Sequence, residues 1–362
     1  MSCPESDGLI TGAYTGSSMP AARTQEGHAR ALPTVDQMER VRSGPVSIWF
    51  GEPWPLNLRS EVLNPCLQLS SQWEVITLDI SSFLSPPLSN LAFPALTTLT
   101  LFHMGSETTA DVSRTDFLPA LEQLVLNLGD HGLPQDLRSL IPWSQLRNCE
   151  VRELDSRDCL WIAARLPQDA NLVVDNGYNG VKSLLGPSPT TSLIRSLTLT
   201  QCYRSFLIDI LDVLSVPALD TFALHHDATE ARVGLGAHVA RFLDRSASTL
   251  THLELTAHLE EHDLVHLLKS SHVRSVIDLK IANIWPTPPV LAALAEGPLL
   301  KLRRLTLGGA QDENVLLKAL GTYNRPRISS SEEYLPMGEL QHEDFAECRQ
   351  HVTAKIGAPW SI

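Results

Sequence analysis

The sequence predicts an α/β solenoid: a curved parallel sheet with helices and loops on its convex side. Two observations carry this. A short phrase, apolar-x-x-apolar-x-apolar, recurs along the chain, and its spacing is nearly constant. Clear copies are Leu96, Leu99, Leu101; Leu121, Leu124, Leu126; Ile194, Leu197, Leu199; Leu219, Phe222, Leu224; Leu250, Leu253, Leu255; Val276, Leu279, Ile281; and Leu302, Leu305, Leu307. Weaker copies are Trp73, Ile76, Leu78; Leu146, Cys149, Val151; and Leu172 with Val174. From Ile76 to Leu305 the middle residues advance by 23, 25, 25, 23, 25, 25, 31, 26 and 26. All steps but the 31 lie within the range of leucine-rich repeats, so the predicted fold is an irregular leucine-rich-repeat solenoid of about ten units.

The elements follow in order. Residues 1–37 are rich in Gly, Ser, Thr, Pro and Ala and show no apolar period, so they are expected to be disordered. The repeat domain is placed at 38–325. Val46, Ile48 and Phe50 alternate like a half-buried strand and suit an edge strand at the first end. A short helix is expected within Leu58 to Trp73. Each later unit pairs one strand with a return segment. Phe206, Leu207, Ile210, Leu211 and Leu214 share one helical face. Leu264, Leu267 and Leu268 do the same after Asp263, the expected N-cap. Thr287-Pro288 reads as an N-cap followed by proline at the first helical position. Asp312 is placed as the cap of a helix over Val315 to Leu320. Earlier returns hold Pro86-Pro87 and Pro134, where short 3₁₀ turns or loops are expected. Residues 326–362 are assigned a polar loop and a closing helix within Leu335 to Ile356, because a last repeat needs a cap.

Composition narrows the function classes. The chain has 362 residues, a formal net charge of −13 and 19% charged residues. That charge argues against nucleic acid or an anionic membrane as the main ligand, since both select a basic footprint. No apolar run approaches a membrane span; the richest, Phe206 to Leu219, carries Asp209 and Asp212. The six cysteines are scattered without a Cys-x-x-Cys pair and read as free thiols, which points to cytosol or nucleus.

Strand side chains alternate, so residues between the repeated leucines face away from the core. This places Glu122, Arg147, Glu150, Arg152, Arg195, His252, Glu254, Lys280 and Arg303 on the concave surface, together with Val125, Thr198 and Thr251. The mixed signs suit a protein partner. The 31-residue step marks an insertion expected to lengthen a loop around His225, His226, Asp227, Thr229 and Glu230, with His225 a second candidate contact.

Eight of the thirteen histidines fall between His225 and His272, which calls for a metal test. His258-Leu259-Glu260-Glu261-His262 matches H-x-x-E-H, a zinc-peptidase signature. That chemistry needs both histidines one turn apart on one helix. Here the run follows the strand Leu253–Leu255 by three residues, and the helix is expected only near Asp263. The two histidines would straddle a turn, so the run is read as a surface loop and no metal or cofactor is assigned. A zinc hydrolase using His258, Glu261 and His262 is the remote alternative. There is no G-x-S-x-G elbow, phosphate-binding loop or dinucleotide fingerprint. No catalytic residue is assigned, and a non-enzymatic binding module is expected.

Several phrases carry a resemblance. Met38 to Ile48 (Met-Glu-Arg-Val-Arg-Ser-Gly-Pro-Val-Ser-Ile) is one, and Trp73 opens the first repeat. Phe93-Pro94-Ala95-Leu96, Leu118-Pro119-Ala120-Leu121 and Ile141-Pro142-Trp143-Ser144-Gln145-Leu146 form repeat openings, and Phe242 to Ser246 leads into Leu250. Together they resemble the repeat region of fungal, mushroom-type F-box leucine-rich-repeat proteins, over about residues 38 to 325. The resemblance implies the substrate-recognition part of a ubiquitin-ligase receptor, with ligase subunits as further partners. The family's F-box belongs before residue 38, where no Leu-Pro start with leucine-rich helices is found; Leu32-Pro33 leads only into Thr34-Val35-Asp36. A ligase-independent scaffold or inhibitor is therefore the expected alternative.

Overall fold

The computed structural model describes residues 46–49, 70–84, 91–102, 118–129, 132–179, 189–226, 234–246, 250–257, 259–282, 287–296, 299, 301–307, 339–341 and 353–355. It forms two compact units, Met1–Leu146 and Arg147–Ile362. Each is an α/β arrangement around a parallel sheet. No described helix is long and apolar enough to cross a membrane.

In the first unit, β1 (Val46–Trp49), β2 (Trp73–Asp79), β3 (Thr98–Phe102) and β4 (Gln123–Asn127) pair in that order, all parallel. The register aligns Ile76 with Leu99 and Leu124, and Leu78 with Leu101 and Leu126. All six are buried. Trp73 stacks on Phe93 with ring centroids 5.3 Å apart. The Phe93-Pro94 and Leu118-Pro119 phrases make tight turns into their strands, closed by Leu96 N–H to Phe93 O and Leu121 N–H to Leu118 O. Gln145 donates from Nε2 to the Leu118 and Leu121 carbonyls, tying the next turn to this one.

The returns of this unit include α1 (Ile80–Leu84), α2 (Gln135–Leu140) and a 3₁₀ turn at Trp143–Gln145. The expectation of only 3₁₀ turns or loops is corrected at Pro134. Proline stands at the N-cap of α2, where its missing N–H costs nothing, and Leu137 and Leu140 supply a buried face. A 3₁₀ turn at Ser70–Gln72 lies within the region expected to hold a helix, of which Leu58 to Leu69 fall outside the described residues.

In the second unit, β5 (Asn148–Arg152), β6 (Asn171–Asp175), β8 (Ser196–Thr200), β10 (Thr221–His226), β11 (His252–Ala257), β12 (Asp278–Ile281) and β13 (Arg304–Leu307) pair in parallel. One apolar row runs from Cys149 through Leu172, Leu197, Phe222, Leu253 and Leu279 to Leu305, and a second runs two residues later on each strand. Both rows are buried. The weak copies at Cys149 and Leu172 are thus full members of the stack. Two short strands, β7 (Thr190–Thr191) and β9 (Leu214–Ser215), pair separately.

The helices of this unit are α3 (Ser156–Ala163), α4 (Arg204–Val213), α5 (Leu235–Ser246), α6 (Glu261–Lys269) and α7 (Pro288–Glu296). Phe206, Leu207, Ile210 and Leu211 are buried on α4 as their spacing predicts, but Leu214 leaves the helix to open β9. Helix α5 lies within the long step between Phe222 and Leu253; Leu235, Val239, Phe242 and Leu243 bury one face of it. Phe242 meets Phe222 of β10 with ring centroids 5.1 Å apart. Helix α6 begins at Glu261 with Glu260 as N-cap, which corrects the expected cap at Asp263. Helix α7 begins at Pro288 as expected, yet the Thr287 hydroxyl has no hydrogen-bond partner. Pro288 and Pro289 lack the N–H groups such a cap could use at the first two positions.

Near the C-terminus, β14 (Glu339–Gln341) pairs antiparallel with β13, and β15 (Thr353–Lys355) with β14. These strands stand where the closing helix was expected. The disordered segment expected at 1–37 and the helix expected over Val315 to Leu320 lie outside the described residues.

One backbone feature repeats with the sequence period. Glu153, Asn176 and Gln201, each directly after its strand, have φ of 54°, 54° and 50°. Non-glycine residues rarely adopt this left-handed region. Each N–H is held by the end of the next strand: Glu153 to Asp175 O, Asn176 to Thr200 O, Gln201 to His225 O. Behind this turn Gly177 faces the buried Phe206 ring; a Cβ there would stand 2.6 Å from Cζ.

Cys149, Cys159 and Cys202 are buried and free. Burial pushes the Cys149 and Cys202 thiols up to about 12 and Cys159 well above its ordinary value. The thiolate is the reactive form, so a maleimide at pH 8 is expected to leave all three unmodified in the folded chain and to label them in urea; peptide mass mapping checks this. Gly177→Ala is expected to lower unfolding stability by about 1–3 kcal/mol through overpacking against Phe206, read by urea denaturation.

Candidate functional site

In the second unit the face opposite the leucines is built from three rows set by strand register. The first runs Asn148, Asn171, Ser196, Thr221, His252, Asp278, Arg304. The second runs Glu150, Val173, Thr198, Ala223, Glu254, Lys280, Thr306. The third runs Arg152, Asp175, Thr200, His225, Thr256. In the second row the middle strands contribute the uncharged Val173, Thr198 and Ala223, and Ala223 is only 7% exposed. Charged pairs stand on either side.

On β5, Arg152 donates from Nε to Glu150 Oε1 at 2.8 Å. On the other side, Lys280 Nζ lies 2.5 Å from Glu254 Oε1, and His225 Nδ1 lies 3.7 Å from the same oxygen. His225 Nδ1 is also 2.7 Å from Thr256 Oγ1, whose hydroxyl lies 3.3 Å from Leu224 O. Asn171 donates to Asn148 Oδ1 at 2.8 Å, and Arg304 to Asp278 Oδ2 at 2.9 Å.

The structure brings Glu150 and Arg152 together, and likewise Glu254, Lys280 and His225. Placing His225 in an enlarged loop is corrected: His225 and His226 belong to β10 and pair with Thr256 and Ala257, because the ladder continues to the end of β11. Asp227, Thr229 and Glu230 lie outside the described residues. His252 is exposed at the start of β11, with Nδ1 2.7 Å from Thr251 Oγ1. Arg147, Arg195 and Arg303 do not stand in the rows. Each precedes its strand by one residue, in the entering turn. Glu122 holds the same position before β4 in the first unit.

The turns that enter β6, β8, β10, β11, β12 and β13 line a groove of about 730 Å³ along the N-terminal edge of the second unit's sheet, with Asp169, Arg195, Asp220, Thr251, Ile277 and Lys301 among its walls. Arg195 donates to Asp220 Oδ2 from Nε at 3.0 Å and from a terminal nitrogen at 2.8 Å. Thr251 donates its hydroxyl to Asp220 Oδ1. Burial pushes the Asp220 carboxyl up, but the bonds from Thr251 and Arg195, with the Arg195 and His252 charges, outweigh it and hold the group below its ordinary value.

Asp220 was missed in the sequence, although a signal was present. It lies 25 residues after Arg195, one repeat step, with opposite charge. Asp278 and Arg304 stand 26 apart in the same way.

His238 and His272 make their bonds on the helical side. Asp212 on α4 accepts from Arg241 at 3.1 Å and lies 2.7 Å from His238 Nδ1, both on α5. Arg245 donates to the Leu211 and Leu214 carbonyls at the end of α4. His272 Nε2 lies 2.5 Å from Asp244 Oδ1. His258 lies outside the described residues, while Glu261 and His262 open α6. Possible ligand atoms of Glu260, His262 and Asp263 lie within 4.8 Å of one another, a set that leaves out Glu261. The His262 side chain is 74% exposed and stands 3.2 Å from Glu260 and 3.3 Å from Asp263. Acidic residues in a first helical turn are the ordinary complement of the helix dipole.

No protein-family model matches the chain, and no curated protein sequence matches it.

The Asp220 cluster sets a pH expectation. Its folded carboxyl titrates below the reference value of 3.8, so its contribution is present above pH 3.8 and is lost as pH falls through the folded value. Asp220→Asn is expected to cost about 1 kcal/mol at pH 7. The gap to the parent chain should close as pH falls below 3.8, read by urea denaturation at several pH values.

Proposed function

We propose that the chain is a leucine-rich-repeat solenoid that binds a protein partner through the polar face of its sheet, and that it is a binding module rather than a catalyst. The observation that carries this reading is the set of register-matched rows on the face of β5 to β13. Their spacing follows the repeat of 23 to 26 residues, apart from the one 31-residue step. The left-handed residues at Glu153, Asn176 and Gln201 support it, since they recur at steps of 23 and 25 in phase with the leucines. A parallel stack of this kind offers a broad surface whose side chains are fixed by pairing with neighbours, which favours a folded protein over a small molecule.

The resemblance to the repeat region of fungal F-box proteins gives the reading its more specific form: a receptor that selects proteins for ubiquitination, working in the cytosol or nucleus. Binding energy would concentrate in a few anchors within the larger surface. Glu254, Lys280 and His225 are the best placed, because one carboxylate holds two neighbours from adjacent strands. A scaffold or inhibitor outside ubiquitin chemistry would use the same face.

The test is capture from the chain's own cells followed by mass spectrometry, comparing the parent chain with the double swap Glu254→Lys/Lys280→Glu. The swap keeps an ion pair between β11 and β12, so the fold is preserved while the charge pattern inverts. The partner's recovery is expected to fall at least about tenfold. Undiminished recovery with the swap would remove the face as the binding surface. Ligase subunits recovered with both forms favour the receptor reading; a partner recovered without them favours the scaffold.

A further inference from the structure

We propose that the groove along the N-terminal edge of the second unit's sheet docks an extended acidic segment of a partner protein. This inference rests on the reading of the chain as a protein-binding module but uses a surface separate from the sheet face.

The argument begins with charge. The chain as a whole carries a net charge of −13, yet its charges are sorted along the strand direction in this unit. The turns that leave the strands, with the first helical turns after them, carry Glu153, Asp155, Glu260, Glu261 and Asp263 against Arg157 and Arg204. The turns that enter them carry Arg195, Arg274, Lys301 and Arg303 against Asp169 and Asp220. Among the described residues, Arg274, Lys301 and Arg303 pair with no carboxylate, and all three are exposed. Arg195 is already engaged with Asp220, but 64% of its side chain stays open. The groove thus has one partly committed guanidinium at the β8 end and the uncommitted Lys301 at the β13 end, with Arg303 and Arg274 exposed beside it in the turns entering β13 and β12.

Shape and chemistry then select the occupant. Adjacent strands lie about 4.8 Å apart, so β8 to β13 span about 19 Å, the length of about six extended residues. The floor between the two ends is Ala218, Thr251 and Ile277, which suits side chains of an extended chain. A nucleic acid fits less well. Its phosphates are closely and evenly spaced, and the carboxylates of Asp169 and Asp220 stand among the cations. Discrete acidic residues at about six positions apart meet the cations and pass between the fixed carboxylates. Steering by these charges would weaken with salt.

Ten-residue peptides selected from a random display library on the full chain test this, followed by fluorescence polarisation of the strongest peptide and its Glu/Asp→Gln/Asn version. Selected peptides should be enriched in two separated acidic residues. The amide version, and the variant Lys301→Glu/Arg303→Glu with an unchanged thermal midpoint, should each bind at least tenfold more weakly. Polyuridylate should not compete. The Glu254→Lys/Lys280→Glu swap should leave peptide binding intact, which separates this inference from the face proposed above. Selected peptides without acidic enrichment, binding indifferent to the edge reversal, or competition by polyuridylate would each overturn it.

Discussion

Strand register is the constraint on which the rest depends. Strand side chains alternate with a period of two, so a slip of one residue would turn every leucine outward and bring the polar rows into the core. In each unit the register holds without a shift from β2 onward through the parallel pairs described, as in Phe222 with Leu197 and Leu253. Burying one such side chain contributes about 1.5–3 kcal/mol, so a slipped ladder would forfeit several of these at once. The apolar phrase therefore fixes the polar surface as well: Glu254 meets Lys280 because Leu253 meets Leu279.

The returns are tied to one another by bonds that leave little freedom. Ser192 donates its hydroxyl to Ala163 O at 2.5 Å, and the Val216 N–H reaches the Ser246 hydroxyl at 3.1 Å, both in buried surroundings. Asp212, His238 and Arg241 join α4 to α5, and Arg245 satisfies carbonyls that a helix end would otherwise leave open. His238 and His272 of the histidine-rich segment thus connect neighbouring return segments. Gly236 shows how close these approach, since a Cβ there would stand 2.2 Å from Asp263 Cβ.

Much of the strand set was legible because it needs only a period. The second and third apolar residues of all ten copies, including the weak ones at Cys149 and Leu172, are buried in strands. The returns were harder to read. Their lengths vary, and capping depends on backbone geometry: Glu260 rather than Asp263 precedes α6, and Pro134 opens a helix instead of preventing one. For the face, alternation correctly grouped Glu150, Arg152, Glu254 and Lys280. It misplaced Arg147, Arg195 and Arg303, because the residue entering a strand has not yet joined its pleat. The repeat spacing puts His225 in a loop because it does not show where within the long step the extra residues fall; the ladder runs through His226 before them. The partners Asp220 and Asp278 were visible in principle as opposite charges one repeat step away, a comparison between repeats rather than within one.

Cross-strand disulfides test the register most directly. Register partners lie within reach of a disulfide, whereas residues on opposite faces of the sheet do not. With Thr198→Cys and Ala223→Cys together, mild oxidation should give an intramolecular bond in the folded chain, detected by mass mapping. With Thr198→Cys and Leu224→Cys it should not. Bonding in the second pair and not the first would mean the strands stack one residue out of step, and the polar face described here would not exist.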